Sequence, residues 1–162
     1  MSKKQIIGRG LSMLYLKEAE MRKAIIKHFK FKRDENENEV LNTMITPIET
    51  RETVRGVPDL HIRSRYLDWF VELKTVPANV RASTAIKVPF RPGQIMWMET
   101  HHNLRGNVAL ILHTNRTYHF IMQMVNINSM YVSRNDLMES SDWYGELEDI
   151  PVDIWDNARR VR

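Results

Sequence analysis

The stretch from Gly56 to Lys74, GVPDLHIRSRYLDWFVELK, most constrains the fold of this chain. Its C-terminal part is apolar but contains two charged residues, Glu72 and Lys74. Side chains of a strand alternate between two faces, so Glu72 and Lys74 share one face while a Trp-Val-Leu series occupies the other. Burying either charge alone is costly. The pattern therefore predicts a buried strand whose carboxylate and ammonium groups meet a further partner, which is a metal ion, a third charge or water.

Length and composition predict a single domain, because 162 residues with 43% apolar content form one substantial core but not two. We predict one domain over 1–162, with its core at about 12–122 and an acidic C-terminal extension at about 123–162. The absence of cysteine excludes disulfides and thiolate zinc sites and favours a reducing cytoplasm. The compact single-domain form favours that of a bacterium or a phage-infected host cell. The sequence contains neither the apolar segment of a signal peptide nor an apolar stretch long enough to span a membrane, so no membrane partner is expected.

Charge is distributed unevenly along the chain. Residues 1–33 carry ten Lys or Arg against two acids, and residues 51–116 carry ten against five. Residues 136–156 carry eight acids and neither Lys nor Arg. A basic body followed by an acidic stretch is typical of proteins that bind a polyanion, although a lopsided solvated surface gives the same pattern.

A first helix is predicted over residues 12–31. Apolar residues recur at helical spacing from Leu14 onward, and Ser12 is a suitable N-cap. Glu18 falls inside this apolar stripe, four residues after Leu14 and three before Met21. A carboxylate at that position either faces a polar site or lies at the edge of the stripe and reaches water.

Two strands are predicted to bring the central acids together. A strand-like segment over 40–48 precedes a turn at residues 56–58, whose Gly and Pro direct the chain into a strand over Asp59 to Ile62. The connection Ser64 to Asp68 has the length of a hairpin loop. We therefore expect the strand of Asp59 to pair antiparallel with the strand of Glu72.

This geometry fits metal-assisted phosphodiester hydrolysis. Asp59 and Glu72 on neighbouring strands can share one cation, and the backbone carbonyl of Leu73 adds a third oxygen. Hard oxygen ligands favour Mg²⁺ or Mn²⁺. Lys74 can orient the attacking water or stabilise the charge that develops on the phosphate. A Glu-x-Lys pair alone is a weak signal, but its spacing from a preceding Pro-Asp makes the combination much more specific.

The residues Pro58-Asp59 and Glu72-Leu73-Lys74 resemble the PD-(D/E)xK signature of metal-dependent nucleases. The chain looks most similar to their VRR-NUC and Holliday-junction-resolvase groups, which include small phage members, and the resemblance covers roughly 12–122. It implies an α/β fold of the restriction-endonuclease-like type, with a mixed central sheet flanked by helices. It also implies that Glu18 faces the metal site, where it would be the natural ligand of a second ion, directly or through water.

A second helix is predicted from Pro92 to about His102. Gln94 would be its third residue, from which a Gln side chain can reach back and cap the helix. The resemblance implies instead that Gln94 reaches the metal site or its lysine, while Trp97 is more typical of a core residue. His101 and its neighbour point about 100° apart on a helix and cannot bind one metal ion together, so no zinc site is expected.

The segment 75–90, after the Glu-x-Lys strand, is irregular in sequence and contains donors suited to phosphate. Arg81 and Lys87, together with Arg91 just beyond, are candidate DNA contacts because loops beside a catalytic strand commonly bind substrate. A mobile surface loop explains Arg81 and Lys87 equally well.

The last third of the chain is less specific. Val108 to His113 predicts a central strand buried on both faces, and Tyr118 to Met122 predicts another strand. Trp143, Tyr144 and Trp155 lie among acids, where they can pack on the core, on a second subunit or on DNA bases. We predict a subunit contact, and hence a homodimer.

The resemblance implies a metal-dependent DNA endonuclease that selects branched, junction or flap DNA. One alternative is a restriction, repair or homing endonuclease of the same chemistry, which would prefer a defined sequence. The other is a non-catalytic nucleic-acid-binding module in which Glu72 and Lys74 form only a salt bridge. That module would bind nucleic acid without metal-dependent cleavage.

Overall fold

The structure is a computed structural model, and it describes residues 17–30, 43–48, 56–77, 81–122, 131–151 and 153–157. The helices of this part are α1 (Glu18–Lys30), α2 (Gln94–Asn103), α3 (Arg134–Ser140) and α4 (Ile154–Asn157), with a 3-10 turn at Leu147–Asp149. Its strands are β1 (Met44–Pro47), β2 (Leu60–Arg63), β3 (Asp68–Thr75), β4 (Ile86–Lys87), β5 (Asn107–Thr114), β6 (Thr117–Met122), β7 (Tyr131–Val132) and β8 (Trp143–Gly145).

Six of these strands form one mixed sheet in the order β1-β2-β3-β5-β6-β8. The β3–β5 pair is parallel and the others are antiparallel. The parallel pair is joined through α2, as expected for a crossover between parallel strands. The predicted pairing of β2 with β3 is confirmed, with Leu60 opposite Val71. The predicted fold class, an α/β domain with a mixed central sheet flanked by helices, is also confirmed.

The sheet is covered on both faces by apolar side chains. One cluster unites α1, β2, β3, β5, β6 and the segment after β8, and its largest residues are Trp69 and Trp155. The indole N–H of Trp69 donates to the backbone oxygen of Trp155 over 2.9 Å, so this polar atom is satisfied inside the core. A smaller cluster on the other face is built around Leu110 and Leu112 of β5 and Leu137 of α3. The prediction that the strand at 108–113 is buried on both faces is thereby confirmed.

Helix α1 follows the predicted pattern within its described bounds. Met21, Ile25 and Phe29 recur every four residues and are buried against the sheet. The predicted N-cap Ser12 and the apolar Leu14 lie outside the described residues. No described helix is long and apolar enough to span a membrane.

The second helix begins later than predicted, at Gln94 and not at Pro92. Gly93 precedes it with a φ of 87°, a left-handed conformation that glycine adopts readily and that interrupts the helix after Pro92. Gln94 is therefore the first helical residue and not the third.

Two further pairings lie in segments for which the sequence predicts no strand. β4, inside the predicted loop 75–90, pairs antiparallel with β7 in a separate two-stranded ladder. β8 adds to the main sheet beside β6. Trp155 is fully buried in the core, so the prediction that it contacts a second subunit is wrong. Tyr144 on β8 is exposed, and its ring stacks on His119.

Candidate active site

Four residues predicted from the sequence meet where β2 and β3 approach the beginnings of α1 and α2. They are Asp59, Glu72, Lys74 and Gln94, and all four are buried, with exposed fractions of 4%, 0%, 1% and 1%. Buried charges need close partners because desolvation disfavours the ionised forms. The contacts of each group therefore decide what the site can do.

Lys74 is held between two carboxylates. Its Nζ lies 2.6 Å from Oε1 of Glu72 and 3.5 Å from Oε1 of Glu18. The ring of Phe90 lies 5.9 Å from the same ammonium group and covers it. Glu18 is partly exposed, so it faces both this site and solvent. The carboxylate that interrupts the apolar stripe of α1 is thus part of the charged cluster.

Gln94 joins the start of α2 to Glu72. Its Nε2 donates to Oε1 of Glu72 over 2.5 Å, and its Oε1 accepts the backbone N–H of Arg91 over 2.8 Å. The side chain therefore satisfies a backbone group before the helix and also contacts the acid. The two interpretations of Gln94 drawn from the sequence are compatible, because each uses a different atom of the amide.

Asp59 is fixed by the end of the strand ladder. The last β2–β3 partners are Leu60 and Val71, so the backbone N–H of Leu73 has passed the end of β2, and it donates to Oδ2 of Asp59 over 3.1 Å. Because the N–H and C=O of a strand residue point to the same edge, the carbonyl of Leu73 also lies on the Asp59 side of β3. Two arginines approach the other oxygen, Oδ1, with Arg22 at 3.7 Å and Arg91 at 3.6 Å.

Arg22 is a site residue that our sequence reasoning missed. It lies four residues after Glu18 on α1, and residues at this spacing lie on the same face of a helix. That spacing was the available signal, because any residue one turn from a site-facing carboxylate also approaches the site. Its side chain is 37% exposed.

The two carboxylate oxygens of Glu72 have different surroundings. Oε1 accepts from Gln94 and faces Lys74, whereas Oε2 is buried and has no hydrogen-bond partner among the described residues. Burial, and then the negative charge of Asp59, raise the pKa of Glu72 to about 7, against the opposing effect of Lys74 and Arg91. An unpaired buried carboxylate oxygen beside a second carboxylate is a place where a cation is favourable.

The residues present fit a divalent metal ion. Asp59 and Glu72 supply carboxylate oxygens, and the Leu73 carbonyl lies on the same side of β3 as Asp59, a donor set of the hard type that Mg²⁺ and Mn²⁺ prefer. No three His, Asp or Glu side chains converge as a ready-made metal cage within the described part of the chain. Glu18, which contacts Lys74 here, stays a predicted ligand of a second ion.

A close backbone contact holds the two halves of the site together. Gly56, in the turn before Asp59, has a φ of 97°, and a Cβ placed on it would lie 2.5 Å from the backbone oxygen of Gly93. Such a distance is far below a normal contact, so only glycine fits at this position. The turn that leads to Asp59 therefore packs directly on Gly93, the residue that precedes α2.

Of the three predicted DNA contacts, Arg91 lies beside the site, whereas Arg81 and Lys87 have no described contact with its acids. Arg91 is 53% exposed and reaches the site through Asp59. Arg81 and Lys87 are exposed, and no described contact joins them to the site acids. Trp97, expected in the core, is half-buried, with its ring 5.1 Å from Phe70 and stacked on His101.

Comparison with known proteins gives a match only among solved structures. No family model matches the chain, and no curated protein matches it. The chain is similar to the 1.6 Å structure of Hjc, a Holliday junction resolvase from the archaeal hyperthermophile Archaeoglobus fulgidus, at 9% identity and a TM-score of 0.46. The match covers 67% of this chain and 85% of that chain. The chemistry of the site rests on the contacts described above and not on this likeness.

Proposed function

We propose that this protein is a divalent-metal-dependent nuclease that hydrolyses phosphodiester bonds of DNA. The observation that carries the proposal is Oε2 of Glu72, which is buried beside Asp59 and has no partner among the described residues, while Oε1 is held by Lys74 and Gln94. Leaving a buried charged acceptor unsatisfied costs about 1–3 kcal/mol or more. A cation shared with Asp59 would remove that cost.

Asp59 and Glu72 would hold the metal ion, with the Leu73 carbonyl as a further donor and Glu18 as the predicted ligand of a second ion. Bound Mg²⁺ or Mn²⁺ would offset the negative charge of the phosphate and lower the pKa of bound water, which makes the attacking water easier to deprotonate. Both carboxylates must be ionised to bind it. Because the pKa of Glu72 is raised to about 7 without a metal ion, the affinity for the cation should increase as the pH rises toward neutrality.

Lys74 is the proposed catalytic cation. Its side chain is buried, and its ammonium group is held by Glu72 at 2.6 Å and Glu18 at 3.5 Å, so its position is fixed before substrate arrives. A preorganised positive charge stabilises the negative charge that develops on a phosphate under attack, and it can also orient the attacking water. Gln94 is a positioning residue, because its amide fixes the carboxylate of Glu72.

DNA is the proposed substrate, and branched DNA such as a junction or flap is the proposed preference. The basic sequence of residues 1–33 and 51–116 supports a polyanionic substrate. The resemblance of the Pro-Asp and Glu-x-Lys residues to those of resolvase-like nucleases supports a branched one. We also propose a homodimer, since two copies related by a twofold axis would cut both strands of a symmetric junction.

The test is cleavage of labelled single-stranded, duplex, flap and four-way-junction DNA with Mg²⁺, with Mn²⁺ or with EDTA. Wild type is compared with Asp59→Asn and Lys74→Ala. The matched control is Asp68→Asn, which removes an acid from the start of β3 that pairs with Arg63 and His61 outside the site. Light scattering of the same samples gives the oligomeric state.

We expect metal-dependent cleavage by wild type and by the Asp68→Asn control, and none by the two site variants, although both still bind DNA. The substrate cut fastest identifies the preferred DNA structure. If wild type binds DNA but cuts nothing in the panel with either metal, the chain is a binding module and the nuclease proposal is wrong. If wild type cuts and Asp59→Asn cuts equally fast, the active site is not the one built around Asp59.

A further inference from the structure

Two arginines converge on one oxygen of Asp59 without binding it tightly. Nη2 of Arg22 lies 3.7 Å from Oδ1, and Nη2 of Arg91 lies 3.6 Å from the same atom. Hydrogen bonds from a guanidinium to a carboxylate are normally about 2.7–2.9 Å long. Asp59 therefore attracts both guanidinium groups, but it forms a hydrogen bond of normal length with neither of them.

The donors of Arg22 are only partly used. Its Nε is buried and has no hydrogen-bond partner among the described residues, although the side chain as a whole is 37% exposed. Arg91 is 53% exposed. Both guanidinium groups can thus be reached from solvent, and that of Arg22 has a donor available for an acceptor that the described residues do not provide.

The net charge of the site indicates which kind of acceptor the Arg22 donor needs. Three carboxylates, those of Glu18, Asp59 and Glu72, face three cations, which are Lys74, Arg22 and Arg91. With all six ionised the cluster is neutral, so a divalent cation bound by Asp59 and Glu72 would leave it positive. The charge of Asp59 would then be shared with the metal ion, and the two arginines would need another anion.

We propose that Arg22 and Arg91 form a binding site for one backbone phosphate of the DNA, with Asp59 as the anion that they face until the cation binds. The proposal rests on the proposed nuclease function and adds Arg22 to it as a substrate-binding residue. Planar guanidinium groups present parallel N–H donors that match two phosphate oxygens, which a lysine cannot reproduce.

The test is equilibrium binding of labelled duplex and junction DNA, followed by fluorescence anisotropy over a series of salt concentrations. Ca²⁺ replaces Mg²⁺ as the oxygen-binding cation in this measurement. The variants are Arg22→Gln, Arg22→Lys and Arg91→Gln. The matched control is Lys23→Gln, which removes one positive charge from an exposed position next to Arg22 on α1. Mn²⁺ binding without DNA is measured on the same proteins by calorimetry.

We expect Arg22→Gln to weaken DNA binding about tenfold, as for loss of a hydrogen bond to a charged group. The slope of log affinity against log salt should fall by up to about 0.9, the value for complete loss of one phosphate contact in duplex DNA. Arg91→Gln should act similarly, and Arg22→Lys should restore the slope but only part of the affinity. Lys23→Gln should stay close to wild type in both quantities, and Arg22→Gln should bind Mn²⁺ at least as well as wild type.

Two results would overturn the phosphate site. One is an Arg22→Gln protein whose affinity and salt slope equal those of Lys23→Gln. The other is an Arg22→Gln protein with weaker Mn²⁺ binding and an unchanged salt slope, which would make Arg22 only a support for Asp59. Neither result affects the nuclease proposal, which depends on cleavage by wild type in the DNA panel.

Discussion

The two faces of β3 are equally buried and opposite in chemistry. Trp69 and Leu73 on one face are fully enclosed by apolar side chains, while Glu72 and Lys74 on the other are enclosed by charges and an amide. Apolar burial contributes stability in proportion to area, whereas burial of an ionised pair often costs more than the pair returns. One strand thus carries the core on one face and the proposed chemistry on the other.

Helix α1 likewise contributes apolar side chains to the core and charged side chains to the site. Met21 and Ile25 bury their side chains in the apolar cluster, while Glu18 and Arg22 approach the charged residues at the end of the sheet. Any movement of α1 would therefore disturb the core and the site together. The apolar core thus fixes the position of charged groups that would not assemble on their own.

The largest effect is expected for Lys74→Met, which gives the charged face an apolar side chain of similar length. The cleavage rate should fall about 10³-fold or more, because a preorganised charge is lost where negative charge develops. The fold should survive, since Glu72 can become neutral by protonation. Single-turnover cleavage and thermal unfolding measure the two quantities, with the exposed Lys23→Met as control. A Lys74→Met protein that cuts at the wild-type rate would show that the charged face has no catalytic role.

The next largest effect is expected for Leu73→Ala on the apolar face. Removing a fully buried leucine should lower the free energy of unfolding by about 3–4 kcal/mol through lost burial and a residual cavity. The cleavage rate of the folded protein should change little, because the Leu73 backbone stays in place. Denaturant unfolding and cleavage well below the unfolding temperature test this. Equal losses of stability and rate would mean that the two faces are not separable.

Glu72→Gln should stabilise the protein when no metal is present. The folded pKa of about 7 lies above the ordinary value of 4.5, so the fold favours the protonated acid. The corresponding stability is fully present below pH 4.5 and is lost as the pH rises through 7. The variant should therefore match wild type near pH 4 and exceed it by about 3 kcal/mol at pH 8.

Denaturant unfolding in EDTA at pH 4, 6 and 8 measures this difference for Glu72→Gln. Added Mg²⁺ should stabilise wild type at pH 8 and leave the variant unchanged, because the amide is a poorer ligand than the carboxylate. A difference that stays constant with pH would mean that Glu72 does not titrate in this range.

The smallest of these effects is expected for Gly56→Ala, at the contact between the Asp59 turn and the start of α2. A Cβ there meets the backbone of Gly93, and the φ of 97° is unfavourable for alanine. We expect a loss of about 1–2 kcal/mol in the free energy of unfolding. The cleavage rate should fall as well, since the displaced helix start moves Gln94 away from Glu72. Unchanged cleavage would show that the contact does not position the site.

The parts of the fold that were predictable are those with a long periodic pattern. The alternation around Glu72, the Pro-Asp turn and the apolar run at 108–113 predicted β2, β3 and β5 and their environments. Glu18 was identified because a charge inside an apolar stripe is unusual. One local rule of side-chain direction was enough for the strands, whereas the site-facing direction of Glu18 was favoured only together with the Pro-Asp and Glu-x-Lys residues.

The rest depended on tertiary contacts that no local pattern contains. β4 and β7 have two residues each and owe their conformation to each other. α2 begins at Gln94 because Gly93 takes a left-handed conformation against Gly56, which is distant in sequence. Arg22 on an exposed helix face resembles any solvated arginine until Asp59 is placed beside it. The acidic composition after residue 136 likewise obscured the burial of Trp155.

The burial of Trp155 has a consequence for how the protein becomes active as it is made. Its ring contacts those of Phe29 and Trp69, and His28 of α1 is hydrogen-bonded to the backbone oxygen of Ile150. The support for α1, and through it for Glu18 and Arg22, is completed only after residue 155 has been synthesised. A chain shortened before this point by premature termination or proteolysis would therefore keep the Pro-Asp and Glu-x-Lys residues and still lack an assembled site.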